Sequence, residues 1–344
     1  MTDKNSFQQK SVSSPLGGDE RGAALKWGIL STAIIAREAV IPAMLKSRHC
    51  ELIGIASRDR SKAENVAAEF GIKKAYGSYE SLLADDDIEA VYIPLPNHLH
   101  VEWSLKALEA GKHVLVEKPV ALNSEEAKYL LKESKKFPHQ KIMEAFMYRF
   151  HPQWVKVKEL IKSGAIGELK TIQSSFSFYD DDPESIVNSK EYGGGSLMDI
   201  GCYPVSLSRY LFEEEPVKVI SEIEFHPEFG TDVLATGIMK FRKGVSSFFS
   251  STMLAEDQSV KIFGTDAFIE MKRPFNPDPD VVSRIEIVRE DSREVIEFSI
   301  CDQYTLEVDA FSLAVMNDGP VTTPLTDAVN NMKVIEQLLS CAKV

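Results

Sequence analysis

Three side chains in this 344-residue chain have the types and settings for acid/base chemistry on a hydroxyl group: Lys118, Asp199 and Tyr203. Lys118 lies in "VLVEKPVAL" (114 to 122), where an apolar run ends in Glu117, Lys118 and Pro119. Proline fixes φ and removes a donor, a restriction for which a merely solvated lysine has no use. The competing reading is a charged strand end followed by a turn. Asp199 and Tyr203 stand four residues apart in "YGGGSLMDIGCYPVSLSRYL", a spacing that puts them on one face of a helix. Pro204 would break a mature helix, so the helical run is expected to begin near Asp199, with Pro204 in its first turn. An unassisted tyrosine titrates near ~10 and is a poor base at neutral pH. A neighbouring ammonium lowers that value, and Lys118 is the candidate, leaving Asp199 to orient the pair or to hold a substrate hydroxyl. In isolation the same residues read as a tyrosine packed at a helix start with an acidic cap.

A second group points to a dinucleotide. The turn "GILSTAIIAREAVIPA" stands where a GxGxxG fingerprint belongs, with Ser31, Ala33 and Ala36 at the glycine positions. Small side chains still let backbone N–H groups approach a pyrophosphate at a helix N-terminus, provided the local φ angles are negative. An ordinary tight turn is the alternative. The next expected strand ends in "ASRDRSK", with Ser57 and Arg58 where an NAD site carries an acid. A guanidinium makes charge-assisted bonds to a 2′-phosphate, so NADP is preferred over NAD. Asp59 either pairs with Arg58 or repels the phosphate, and a surface arginine in a turn is the plain alternative. Further on, "PLPNHLHVEWSLKALEAG" brings Pro94, Pro96, Asn97, His98 and His100 to the same rim. Asn97 either caps the following helix or touches the cofactor. His98 and His100, two apart, diverge on a helix, and no third ligand suggests a metal.

These residues need elements to carry them. From residue 25 short apolar runs alternate with helical segments, as in a parallel sheet covered by crossover helices. Strands are expected at 25 to 30, 51 to 57, 90 to 94, 113 to 118 and 141 to 146, with helices near 34 to 46, 61 to 70, 98 to 110 and 124 to 136. Ser61 and Ser124 look like helix entries. Lys118 therefore falls at the carboxyl end of the fourth strand, where open α/β sheets bind ligands. After residue 150 a helix leads into long alternating segments such as "LKTIQSSFSFY", "VKVISEIEF", "VLATGIMKF", "GVSSFFSST", "SVKIFG" and "RIEIVRE", and helices at about 303 to 317 and 326 to 343 close the chain. The expected fold class is α/β: a Rossmann-type doubly wound parallel sheet (25 to 147), then an α+β domain with a large open, mostly antiparallel sheet (148 to 344). The polar first 24 residues read as a disordered arm without a secretory signal.

Composition narrows the partners. A formal net charge of -13 argues against a nucleic-acid surface, and no apolar run reaches the length of a membrane span. Cys50, Cys202, Cys301 and Cys341 show no CxxC spacing, which fits a reducing cytoplasm.

Five stretches in order, "WGILSTAIIARE", "VEKPVALN", "EAFMYRFHPQ", "GGGSLMDIGCYPV" and "DQYTLEVDAF", resemble the glucose-fructose oxidoreductase, inositol dehydrogenase and MocA superfamily from about residue 25 onward. The "GCYPV" form looks like the branch holding NADP-dependent xylose dehydrogenase and dihydrodiol dehydrogenase. The resemblance implies that Tyr203 is the acid/base, that Lys118 touches substrate hydroxyl and cofactor, and that Asp199 supports both. It implies that Ser31, Thr32, Ala33 and Ile34 meet the pyrophosphate and that Ser57, Arg58 and Lys62 meet the adenosine ribose phosphate. Pro94, Leu95, Asn97 and His100 then line the middle of the cofactor, and Glu117 lies near the nicotinamide. Arg149 and His151, in "YRFHPQ", are substrate-side candidates, though His151 alternatively begins a helix.

The activity so implied is reversible hydride transfer between NADP and a carbinol or carbonyl carbon of a sugar or related cyclic polyol. A non-catalytic NADP-sensing regulator of the same fold is the rival. The open sheet further implies a homodimer or homotetramer. The loop "YDDDPESIVNSKEYGG" has no readable code for a particular substrate, and its acid run, Asp180 to Asp182, reads most simply as solvated.

Overall fold

The computed structural model describes residues 24–341, so the expected arm lies outside the described residues apart from Ala24. Six parallel strands form the first sheet: β1 (Leu25–Leu30), β2 (Cys50–Ala56), β3 (Lys74–Tyr76), β4 (Ala90–Ile93), β5 (His113–Glu117) and β6 (Ile142–Ala145). Their order is β3-β2-β1-β4-β5-β6, which puts the topological switch point between β1 and β4. The central strands are apolar without alternation because helices cover both faces; Val114, Leu115 and Val116 of β5 are all fully buried. The crossover helices are α1 (Ile41–Lys46), α2 (Arg60–Phe70), α3 (Tyr79–Leu83), α4 (His100–Glu109) and α5 (Ser124–Ser134). β3 and α3 were not expected from the sequence. Three partly buried residues and a five-residue helix carry too little periodicity to stand out.

Two helix entries differ from expectation. Asp59 caps α2 by accepting from the Ser61 N–H at 2.9 Å, so Ser61 lies inside the helix. Asn123 caps α5 by accepting from Glu126 N–H at 2.9 Å, while the Glu126 carboxylate turns back to accept from Leu122 N–H at 3.1 Å. The segment expected as one helix at 34 to 46 widens into a π-helical turn over Ala36–Val40 before α1. Pro42 explains the widening. An interior proline removes an N–H and presses on the carbonyl four residues back, and an i→i+5 turn relieves both.

The remainder begins with α6 (Pro152–Lys162), followed by β7 (Thr171–Tyr179) and α7 (Cys202–Phe212). Seven strands follow: β8 (Lys218–Phe225), β9 (Asp232–Lys240), β10 (Val245–Ser251), β11 (Met253–Phe263), β12 (Phe268–Lys272), β13 (Ser283–Val288) and β14 (Arg293–Phe298). The sheet order is β14-β13-β12-β11-β7-β10-β9-β8, antiparallel except between β7 and β10. Alternation along β9 shows its two faces: Ala235 and Met239 are fully buried, while Ile238 is exposed opposite exposed Ile220 of β8. β12 and β14, also unforeseen, are five- and six-residue segments on the outer side of the sheet.

Two last helices, α8 (Gln303–Met316) and α9 (Leu325–Cys341), return to the first sheet; α8 packs on α1, and α9 on α5, α7 and β8. The Trp27 indole of β1, fully buried, donates to Ser312 Oγ of α8 at 3.1 Å and so pins this return. Among the described residues no helix is long and apolar enough to cross a membrane.

Candidate active site

β5 delivers Lys118 to the carboxyl edge of the first sheet, as the sequence implies. Its side chain, 14% exposed, donates from Nζ to the Asp199 carbonyl at 2.8 Å and to Asp199 Oδ1 at 3.0 Å. Burial works against the ammonium, but Asp199, Cys202 and Glu117 outweigh it and hold the Lys118 pKa above its usual value.

Asp199 can offer its carbonyl because of the local helix. A π-helical turn spans Leu197–Gly201, and in its i→i+5 register that carbonyl faces residue 204, where proline has no N–H. The helical run starts at Ser196, not near Asp199, so Pro204 lies well inside it rather than in its first turn. Asp232 of β9 makes the earlier start possible, accepting from the Leu197 N–H at 2.7 Å. Gly195, at φ 113, lets the chain pass Asp232; a Cβ there would lie 2.1 Å from Asp232 Oδ1.

Tyr203 is 4% exposed within an aromatic nest of Phe146, Tyr148, Phe176 and Phe275. Its hydroxyl donates to Met147 Sδ at 3.4 Å, and Lys118 Nζ lies 5.3 Å from the ring centroid. The expected lowering of its pKa by Lys118 is not what the structure gives. Burial, with Tyr304, Cys202, Glu117 and Asp199 adding to it, pushes the hydroxyl well above the ordinary value. The lysine sits over the ring face and spends its hydrogen bonds on Asp199. Tyr203 is therefore a protonated group, suited to giving a proton.

Glu117 turns inward. It accepts from the Tyr92 hydroxyl at 2.6 Å and from the Lys118 N–H at 3.2 Å. Burial raises its pKa against the opposing pull of Lys118. On α8, Tyr304 and Glu307 bear electrostatically on Glu117; Glu307 is 2% exposed, with Oε1 unpartnered among the described residues. Burial keeps Glu307 protonated far above the usual carboxylate range.

The first turn corrects another expectation. Ser31 has φ 147, a conformation that favours glycine, and so adopts the backbone of the fingerprint's first glycine despite its side chain. Its Oγ accepts from Ala33 N–H at 3.1 Å. Thr32 and Ala33 are half-buried, and Ile34 points into solvent with 71% exposure. At the end of β2, Ser57 is buried and its Oγ accepts from Asp59 N–H at 3.2 Å. Arg58 is exposed and forms no salt bridge among the described residues, because Asp59 serves as the α2 cap. Tyr79 joins Ser31 and Arg58 here: burial raises its hydroxyl pKa, and Arg58 and Ser31 pull it down. Lys62 is exposed in the first turn of α2. A glycine-type turn, a helix start and a guanidinium without a carboxylate partner fit the diphosphate and ribose of a dinucleotide.

The other candidates occupy several different settings around this edge. Pro94 and Leu95 are buried. Asn97 caps no helix; its Nδ2 donates to the Gly193 carbonyl at 2.9 Å, and His98 stacks on Tyr192, so the glycine-bearing loop closes on this rim. His100 is fully buried, its nitrogens 2.8 Å from the Pro119 carbonyl and 2.6 Å from the Leu95 carbonyl, so it lies behind the rim rather than against a cofactor. Arg149 is 8% exposed, donating from Nε to the Tyr148 hydroxyl and from Nη2 to Ser206 and Asp327, so it braces the interior beside the site. His151 takes its alternative role and caps α6, accepting from Gln153 N–H at Nδ1. That fixes the proton on Nε2, which donates to Cys301 Sγ at 3.3 Å.

Sequence reasoning missed Asp232, Tyr92, Glu144 and Glu307. Glu144, an acid inside the apolar stretch "KIMEAF", had a visible signal, but Asp232 sits in an ordinary loop-to-strand junction.

Residues 25–144 match the model of an oxidoreductase family with an NAD-binding Rossmann fold, and residues 154–270 match the GFO/IDH/MocA C-terminal domain. The chain belongs to the GFO/IDH/MocA family. Among similar members, the uncharacterized oxidoreductase ORF334 of Rhizobium meliloti is 42% identical over 325 residues, covering 93% of this chain and 97% of the relative. D-xylose 1-dehydrogenase (NADP(+)) 2 of Haloferax volcanii is 38% identical over 322 residues, covering 93% and 98%. The solved structure of KijD10, a 3-ketoreductase from Actinomadura kijaniata in complex with NADP and TDP-benzene, superposes with a TM-score of 0.85 at 28% identity, covering 92% of this chain and 97% of that one. This GFO/IDH/MocA chain is thus an NAD(P)-dependent oxidoreductase, with Lys118, Asp199 and Tyr203 meeting at the edge of its Rossmann sheet.

Proposed function

We propose that the protein reduces or oxidises a sugar or related cyclic polyol at a single carbinol or carbonyl carbon, with NADP as cofactor. Lys118 Nζ, held by two Asp199 oxygens at 2.8 and 3.0 Å beside the Tyr203 ring, is the observation that carries this reading. When bound, the nicotinamide supplies or accepts the hydride. In the reducing direction Tyr203 donates its hydroxyl proton to the substrate oxygen as that oxygen becomes a hydroxyl. The Lys118 ammonium stabilises the negative charge that builds on the same oxygen. Asp199 keeps the ammonium aimed and accepts from a substrate hydroxyl with the oxygen that Lys118 leaves free. In the oxidising direction Tyr203 must lose its proton first, which burial opposes, so alkaline pH favours oxidation.

The Ser31 to Ile34 turn would hold the diphosphate, and Arg58, Ser57 and Lys62 the adenosine ribose with its 2′-phosphate. Arg58 supports NADP over NAD because no carboxylate occupies it. The unit from 25 to 147 would carry the cofactor and that from 148 to 344 the substrate side. The exposed Ile220 and Ile238 pair on the open sheet supports a homodimer or homotetramer. The unpaired cysteines are compatible with the cytoplasmic setting proposed here.

Relatives of this chain are named for D-xylose, for trans-1,2-dihydrobenzene-1,2-diol and for dTDP-linked deoxy sugars. The test is NADP reduction over a panel of aldoses, deoxy sugars, inositols and dihydrodiols, with NADPH oxidation over the matching ketones. Turnover of at least one compound is expected. Measurable NADPH binding without turnover of any would replace the enzyme by an NADP sensor.

A further inference from the structure

The second peptide unit after Lys118, between Pro119 and Val120, is held at both ends by buried titratable side chains from two different elements. Its carbonyl oxygen lies 2.8 Å from His100 Nδ1 of α4, and its N–H donates to Glu144 Oε1 of β6 at 2.9 Å. His100 is 0% and Glu144 1% exposed. The second imidazole nitrogen, Nε2, lies 2.6 Å from the Leu95 carbonyl in the loop after β4. Burying a histidine and a glutamate is costly, and burial has moved both pKa values, His100 down to about 4 and Glu144 up to about 8. Apolar residues would fill the same space at lower cost, so the polarity calls for a reason.

Geometry supplies one. Pro119 fixes its own φ, and the residue before a proline is confined to extended backbone, which leaves the 119–120 peptide as the next free rotation behind Lys118. Locking that peptide locks the base of the lysine side chain, while Asp199 locks its tip. We propose that His100 and Glu144 are positioning residues that clamp the Pro119–Val120 peptide, and that the His100 ring, wedged between that peptide and the Leu95 carbonyl, makes the loop after β4 and the chain bearing Lys118 move as one body. This inference rests on Lys118 acting as assigned above. With its pKa lowered to about 4 the buried imidazole is neutral and has one N–H, and the clamp requires that N–H on Nδ1, donating to the Pro119 carbonyl. Burial opposes the charged form most, the Lys118 ammonium and His98 add to it, and the two carbonyls offset them only in part.

The two residues are separable by what they touch. Among the described residues the one hydrogen bond of the Glu144 carboxyl goes to the peptide behind Lys118, so Glu144→Met lowers kcat about 100-fold, the effect a ~1 Å misplacement can have, and leaves the NADPH Kd within about twofold. Glu144→Gln keeps an acceptor oxygen for Val120 and restores kcat to within about threefold of the parent. His100→Phe keeps a ring but no donor, and it lowers kcat while also weakening NADPH about tenfold, because both loops are released. NADPH binding is read from nicotinamide fluorescence, folded protein from thermal melts, and the protonated nitrogen of His100 from its ring ¹⁵N shifts at neutral pH. Purely structural roles lower the melting temperature and leave kcat per folded molecule unchanged; that result, or a lone pair on His100 Nδ1, overturns the proposal. If Glu144→Met fails to fold, His100→Phe and the ¹⁵N shifts still decide. Absence of NADPH binding or polyol turnover in the unaltered protein overturns the assigned function instead.

Discussion

Replacing Tyr203 by phenylalanine removes one oxygen from a nearly buried ring and tests the proton donor directly. The ring keeps its neighbours, since Phe146, Tyr148, Phe176 and Phe275 hold it at centroid distances of 5.4 to 5.8 Å. Among the described residues the only hydrogen bond lost is the weak one to Met147 Sδ at 3.4 Å. Stability should therefore change by no more than ~1 kcal/mol, which moves the melting temperature by a few degrees at most. Catalysis should suffer far more. A positioned general acid contributes about 10²- to 10⁴-fold, so kcat should fall by that factor, equivalent to ~3–5 kcal/mol of barrier. NADPH binding should be unchanged. Because burial raises the Tyr203 pKa, the parent enzyme should oxidise its substrate faster as pH rises across the alkaline range, while reduction stays level through neutrality. The variant should lose the alkaline rise. Stopped-flow and steady-state NADPH absorbance at several pH values measure all of this. A folded, NADPH-binding Tyr203→Phe protein with parental kcat would refute the reasoning.

Lys118→Met should cost a similar factor in kcat, because it removes the charge facing the substrate oxygen, and single-turnover absorbance measures it. Arg58→Ala should weaken NADPH by roughly 10- to 100-fold, the worth of a charge-assisted hydrogen bond, and leave NADH affinity unchanged in fluorescence titrations. Arg149→Met should lower unfolding stability by ~3 kcal/mol in urea while sparing kcat and KM of the folded protein, since Arg149 braces Ser206 and Asp327. Glu144→Gln gives a pH signature: a carboxyl raised to about 8 stabilises the fold at low pH and loses that contribution as pH climbs from its unfolded value to about 8. The variant should therefore gain on the parent across that window, by up to ~1.4 kcal/mol per pH unit, in denaturation curves taken at pH 5 to 9.

What the sequence by itself determined is the machinery whose signal is local. Unbroken apolar runs alternating with helical segments specify a covered parallel sheet, and a strand ending in Lys118 and Pro119 specifies what its carboxyl edge presents. The four-residue spacing of Asp199 and Tyr203 was legible for the same reason. Tertiary structure decided the rest, because charge state and orientation depend on neighbours far along the chain. It turned Arg149 into an internal brace, buried His100 behind the rim and kept Tyr203 protonated, and none of these follows from residue type. It also gave Pro204 its meaning. In an ordinary helix start the proline would be harmless, but just after a π-helical turn it leaves the Asp199 carbonyl for Lys118, a bond made only when a strand from the first sheet and a helix entry capped by Asp232 of the second meet.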